Sequence, residues 1–193
     1  MGLMIPYKGE GFYETRVAGL KRRLPIVKVS EDTWIASNAG LVLGDVEFIE
    51  AAASSVANLI KPYEPDIVVT AEAKALALAY EVARRLGHDR FVVARKSVKA
   101  YMGEVLVEQV KSITTYKPQI LVLTKEDAEL VRGKRVCVFD DVVSTGGTVR
   151  ALENLVRRAG GQIACKAAVW LEGPWCLDMG IIHLAKLPVF KRL

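Results

Sequence analysis

The alternation of short apolar runs with helix-patterned stretches is what most constrains this chain. Residues 46–61 carry Phe48, Ile49, Ala52, Val56, Leu59 and Ile60 at helical spacing, with Asp45 placed to cap the start and Pro62 just past the end. DIVVT (66–70) follows as a β-rich run. Residues 73–86, rich in Ala and Leu, stop at Gly87, the usual residue for a left-handed helix end. FVVA (91–94), QILVL (119–123) and RVCVF (135–139) read as strands, residues 147–159 as a helix ending at Gly160-Gly161, and IACKAAVWL (163–171) as a further strand. Strands alternating with helices of ~10–15 residues predict an α/β fold, a parallel sheet covered by helices on both faces. The near-continuous apolar character of the runs agrees, because such strands are buried on both sides. Two regions break the rhythm. Residues 1–44 hold short extended pieces around 24–29 and 34–37. Residues 95–118, polar and containing Gly103 and Pro118, read as a functional loop or a small hairpin.

The chain's 193 residues fit one domain, and 51% hydrophobic content supports a full core. Collagen, a disordered tail protein and a coiled coil are excluded by composition. No apolar run approaches the ~18 residues of a membrane span. The N-terminal MGLMIPYKGE lacks the apolar core of a signal peptide. Cys137, Cys165 and Cys176 are odd in number and widely spaced, against a disulfide framework or a zinc site, and His88 and His183 form no metal-spaced pair. The expectation is a reduced, cytoplasmic protein with no membrane partner. The net charge of +5 favours anionic partners. Yet the basic clusters (Lys21-Arg22-Arg23, Arg84-Arg85, Arg95-Lys96, Arg157-Arg158) are short and scattered, and two sit late in predicted helices, where cations complement the dipole. That pattern is a solvated surface rather than a nucleic-acid stripe. A small phosphorylated substrate stays open.

The segment that carries chemistry is VCVFDDVVSTGGT (136–148). A buried strand delivers Asp140 and Asp141 at its carboxyl end, where ligands bind in open parallel sheets. A loop of small residues follows, Ser144, Thr145, Gly146, Gly147 and Thr148, and then a helix begins. Free backbone N–H groups and the positive end of the helix dipole suit phosphate there, and three hydroxyls add donors. The adjacent carboxylates suit sugar hydroxyls or a hydrated Mg²⁺. An ordinary strand–turn–helix accounts for one acidic residue and one glycine. It does not require two carboxylates, three hydroxyls and two glycines in nine residues.

This segment resembles the 5-phosphoribosyl-1-pyrophosphate (PRPP) signature of the type I phosphoribosyltransferases. AEAK (71–74), after DIVVT, stands where purine members carry a pyrophosphate loop, often EARG or EASG, with Lys74 in place of the arginine or serine. VVARK (92–96) is similar to the strand ending in Arg-Lys before the family's flexible loop, and residues 102–123 resemble the hairpin and strand that follow. The resemblance covers about residues 24–172 and is strongest to the adenine group and its archaeal-type relatives that use 6-oxopurines. Thr114-Thr115 stand where animal and bacterial adenine enzymes carry a Glu-Tyr pair, so that carboxylate is not carried over.

The resemblance implies the type I phosphoribosyltransferase fold: a parallel twisted sheet flanked by helices, with a small N-terminal hood (about 1–44), a core (45–172) and a C-terminal extension (173–193). It implies transfer of the phosphoribosyl group from PRPP to a purine, adenine first and a 6-oxopurine second, with Mg²⁺ as cofactor and a homodimer as the assembly. Residues 144–148 would hold the 5′-phosphate, and Asp140 and Asp141 the ribose hydroxyls and the metal. Glu72, Ala73, Lys74, Arg95, Lys96 and Lys99 would surround pyrophosphate. Ile26, Val27 and Lys28 would lie near the base, and residues 97–117 would close as a lid. The tail 173–193 would complete the hood or pack as an edge strand. A PRPP- or purine-sensing regulator is a different class, but residues 1–44 are too short and strand-like for the helix-turn-helix domain such proteins append. A PRPP-binding subunit without catalysis would be longer, with two such domains.

Overall fold

The computed structural model describes residues 3–110 and 119–192. The first four strands, β1 (Met4–Pro6), β2 (Phe12–Val17), β3 (Leu20–Ser30) and β4 (Thr33–Ala36), are followed by helices α1 (Ala39–Gly44) and α2 (Val46–Ile60). Then come β5 (Ile67–Ala71), α3 (Leu76–Leu86), β6 (Val92–Ala94), β7 (Val105–Val110), β8 (Gln119–Thr124) and α4 (Lys125–Val131). The chain ends with β9 (Arg135–Val143), α5 (Gly147–Arg158), β10 (Gln162–Glu172), β11 (Ile182–Leu187) and β12 (Val189–Lys191).

Five strands form the parallel core sheet, in the order β11-β10-β9-β5-β6. Alternate residues of each strand serve opposite faces, which is why the sequence shows unbroken apolar runs. Val68, Cys137 and Phe139 pack with Phe48, Ala52, Val56, Leu78 and Val82 of α2 and α3. Val69, Val136 and Val138 pack on the other side with Val131 of α4 and Leu152 and Leu155 of α5. The Asp45 carboxylate caps α2 by accepting the Phe48 N–H at 3.0 Å. Gly87, at φ 77°, ends α3 by donating to the carbonyls of Ala83 and Arg84.

A second sheet, β1-β12-β4-β3-β2, sits as a hood over the carboxyl ends of the core strands. Arg22 of β3 ties it to the core, its Nε 3.1 Å from Asp45 Oδ2. The tail does both things the sequence left open. Ile182–Leu187 extends the core sheet beside β10, and Val189–Lys191 enters the hood between β1 and β4.

Three details differ from the sequence reading. QILVL is a strand, but β8 pairs antiparallel with β7, and its bridge toward the core sheet joins Val122 to Arg95, just past the end of β6. An apolar run reports burial and says nothing of the direction of its partner. Helix α4 goes unread in the sequence, although Thr124 and Asp127 cap each other's backbone at its start. The helix expected at 73–86 begins at Leu76, because Glu72 to Ala75 form the connecting loop.

Candidate active site

The chain leaves β5 and β9 in opposite directions, through α3 to β6 on one side and through α5 to β10 on the other. Their carboxyl ends therefore border the crevice where open α/β sheets bind ligands. The described chain places 71–74 and 140–148 there.

Asp141 is 4% exposed, and its Oδ2 lies 2.8 Å from Lys74 Nζ. Burial alone would lower the Lys74 ammonium; the Asp141 carboxylate outweighs it and holds Lys74 above the ordinary lysine value. Asp140 accepts the Asp141 N–H at 2.9 Å. Burial first, and then the negative charge of Asp141, push the Asp140 carboxyl well above the usual carboxylate range. Two carboxylates side by side, one of them paired to a cation, leave hard oxygen acceptors facing the crevice.

The loop from Ser144 to Thr148 lines a cavity of about 160 Å³ with Asp140. Gly146 is required twice over. Its φ of 78° is left-handed, and a β-carbon there would collide with the Met179 side chain. The Arg150 guanidinium donates to the Thr145 carbonyl and braces the loop against α5.

Glu72 does not face the crevice as a free carboxylate. It accepts from Arg95 Nε at 2.7 Å and from the Lys96 N–H at 2.6 Å. Burial would raise its carboxyl, but those two donors hold it below the ordinary glutamate value. An anion so engaged positions Arg95 at the end of β6. The Lys96 and Lys99 side chains are exposed beside it. Part of the expected lid, residues 111–118, with Thr114-Thr115, lies outside the described residues.

A larger cavity of about 210 Å³ opens between hood and core. Its hood wall comes from Leu24 and the β4–α1 corner, Ile35 to Ala39, and its core wall from Lys74, Asp141, Ser144, Trp170 and Glu172. Ile26, Val27 and Lys28 are not brought to it. Val27 faces solvent, and the Lys28 ammonium lies over the Trp34 ring at 5.7 Å. The register that turns Leu24 inward leaves β4 and α1, not this stretch of β3, against the opening.

The sequence reading missed Ser37, Asn38 and Glu172. Glu172 is 8% exposed and ends β10 as Asp140 and Asp141 end the apolar part of β9. A charged residue closing a long buried strand was the available signal. Burial raises its carboxyl, partly offset by a hydrogen bond from Ser144. The His88 and His183 rings hydrogen-bond to backbone carbonyls, of Pro65 at 2.8 Å and of Ile181 at 2.9 Å. Among the described residues, no group of three or more His, Cys, Asp or Glu side chains could hold a metal by itself.

The family model for the phosphoribosyl transferase domain matches residues 46–177. An adenine phosphoribosyltransferase of Thermotoga neapolitana is 33% identical over 126 residues, 65% of this chain and 71% of that protein. A hypoxanthine/guanine phosphoribosyltransferase of Methanothermobacter thermautotrophicus is 33% identical over 138 residues, 70% of this chain and 67% of its own. Among solved structures, adenine phosphoribosyltransferase from Thermoanaerobacter pseudethanolicus superposes with a TM-score of 0.70 at 24% identity, covering 84% of this chain and 95% of that one. The match spans the carboxylate pair, the small-residue loop and both strands that flank the crevice, and the chain belongs to the phosphoribosyl transferase domain family, with its type I fold.

Proposed function

We propose that the protein transfers the 5-phosphoribosyl group of PRPP to adenine and releases pyrophosphate. The observation that carries this reading is a pair of adjoining cavities that share Val142 and Ser144, with Asp140 on the wall of the smaller and Asp141 on the wall of the larger. The smaller one is built for a phosphate and the larger one for a flat base. The adenine enzymes among the relatives favour adenine, and the hypoxanthine/guanine relative keeps a 6-oxopurine as the second reading.

The roles follow from the chemistry of each group. The amides of Ser144 to Thr148 and the hydroxyls of Thr145 and Thr148 hold the 5′-phosphate at the start of α5. Asp140 and Asp141 accept the ribose hydroxyls. Lys74, with Arg95 held in place by Glu72, neutralises the leaving pyrophosphate; Lys96 and Lys99 add charge at the rim, and the Ala73 backbone amide is assigned to the same group. Purine N9 attacks C1 of the sugar, the N–C bond forms as the C–O bond breaks, the electron pair leaves with pyrophosphate, and the imidazole proton of the free purine passes to solvent. Positive charge grows on the ring, as in glycoside chemistry, and the carboxylates stabilise it. Holding base and sugar in contact supplies much of the acceleration.

Mg²⁺ fits this donor set. It binds through one or two carboxylates together with substrate phosphates and keeps several waters, so Asp140 and Asp141 suffice without a third protein ligand. When bound, it supplies charge to the pyrophosphate. The reading also includes a homodimer, supported by the exposed apolar side chains Leu43, Val46 and Tyr80 beside one another on α1, α2 and α3. A cytoplasmic setting accords with three free, buried cysteines.

The test is pyrophosphate release from PRPP and Mg²⁺ with adenine, hypoxanthine, guanine and xanthine in turn. Turnover with adenine is the expected result. Turnover only with a 6-oxopurine moves the substrate to the second reading, and none with any base overturns the proposal.

A further inference from the structure

Glu172 has no part in phosphate or sugar binding as described, yet it is a buried carboxylate on the wall of the larger cavity. Trp170, two residues earlier on the same wall, has its indole N–H turned to Thr15 at 3.4 Å and offers the cavity no polar group. The Lys74 ammonium pairs with Asp141 and is assigned to the pyrophosphate. The polar side chains left to address a base from the core side are Glu172 and Ser144, which line the same cavity. Together they present one acceptor-only group beside one hydroxyl with a single donor proton.

That pair has a complement among the purines. Along the N7/C6 edge, adenine offers an acceptor, N7, next to a donor, the 6-amino group, whereas a 6-oxopurine offers two acceptors. We infer that Glu172 and Ser144 read this edge, the Glu172 carboxylate accepting from the 6-amino group while the Ser144 hydroxyl donates to N7. A 6-oxo group would set its oxygen against the carboxylate, leaving a buried charge without a donor. Ser144 suits this double use because it lines both cavities, at the junction of phosphate loop and base site. Glu172 thus determines specificity and takes no part in bond making. The inference rests on the purine-transferase reading and adds to it the side chain that selects adenine.

Calorimetric titration with AMP, IMP and purine riboside monophosphate, which lacks the 6-amino group, tests it without requiring turnover. The wild type should bind AMP about 10- to 100-fold more tightly than either of the others, the range set by one hydrogen bond to a charged group. Glu172→Gln, whose amide can turn its N–H₂ to a 6-oxo oxygen, should lose most of that preference while its affinity for ribose 5-phosphate stays unchanged. Equal wild-type affinity for AMP and purine riboside monophosphate overturns the inference even if the variant does not fold. So does an AMP preference that survives intact in Glu172→Gln; in both cases nucleotide binding by the wild type leaves the transferase reading standing. A wild type that binds none of the three nucleotides overturns both.

Discussion

At the scale of single residues, the site separates two carboxylates that the sequence presents as equals. Asp141 pairs with Lys74 at 2.8 Å, while burial and the negative charge of Asp141 push the Asp140 carboxyl well above the usual carboxylate range. Because the Asp140 carboxyl sits above its ordinary value, the folded, ligand-free chain holds that proton more tightly than the unfolded chain. Its contribution to stability is then complete below the unfolded value near about pH 4 and is lost as pH rises toward the folded value. Asn is neutral at every pH and still accepts the Asp141 N–H. Asp140→Asn should therefore raise the Tm of the ligand-free protein at neutral pH, with the difference shrinking toward about pH 4. It should also lower phosphoribosyl transfer by about 100-fold or more, the scale of losing a group aimed at transition-state charge. Melting curves across pH and initial rates check both halves; a Tm lowered at neutral pH would show the residue to be structural. The sequence made Asp140 and Asp141 legible as a pair because two acids at a strand end have little other use. It left Glu72 ambiguous, and the hydrogen bonds to Arg95 and Lys96 resolve it as a positioning residue, a role set by a neighbouring strand 23 positions away. Glu172 was hidden because one glutamate before a glycine reads as a strand end until the hood is seen to cover it.

At the scale of elements, helix caps and the alternation of burial were readable, and pairing direction was not. The clearest legible cap is Asp45 at the start of α2, where the carboxylate also meets Arg22 of the hood. The Phe48 N–H, and then Arg22, hold the Asp45 carboxyl below the ordinary aspartate value. For a depressed carboxyl the sign is opposite to that of Asp140. The stabilisation is present above the unfolded value and is lost as pH falls through the folded one. Asp45→Ala should cost about 1 kcal/mol at neutral pH, the usual loss of a helix cap. The gap between wild type and variant, read by denaturant unfolding, should close as acid protonates the wild-type side chain. A gap that persists at low pH would mean that shape, not charge, makes the cap. What stayed illegible was β8. Its four apolar residues, Ile120 to Leu123, gave no hint that the neighbour would be β7 of a hairpin rather than a parallel core strand, since both environments bury the same side chains.

At the scale of the whole molecule, the last dozen residues join the two layers. β11 is the outer strand of the core sheet and β12 an inner strand of the hood, with Leu187 at the crossing lining the larger cavity. This double use follows from a chain that crosses from one sheet to the other at Pro188, and a linear reading of a short apolar tail could only name both outcomes. A chain ending at Gly180 should lose cooperative unfolding, because it exposes one face of Leu171 and Trp170 and leaves the hood without the strand between β1 and β4. Circular dichroism melting measures this; a truncated protein that melts as sharply and at the same temperature as the full chain would show the tail to be an accessory.

The central claim is that Asp140, Asp141 and the loop from Ser144 to Thr148 form one centre for moving a phosphoribosyl group onto a purine. Its most direct test is to identify the products: wild type and the Asp140→Asn/Asp141→Asn double variant are incubated with PRPP, Mg²⁺ and adenine, and AMP and pyrophosphate are quantified together. The expected result is AMP and pyrophosphate in equal amounts from the wild type and almost none from the variant. Pyrophosphate without AMP, no product from the wild type, or an undiminished rate in a folded double variant would contradict it.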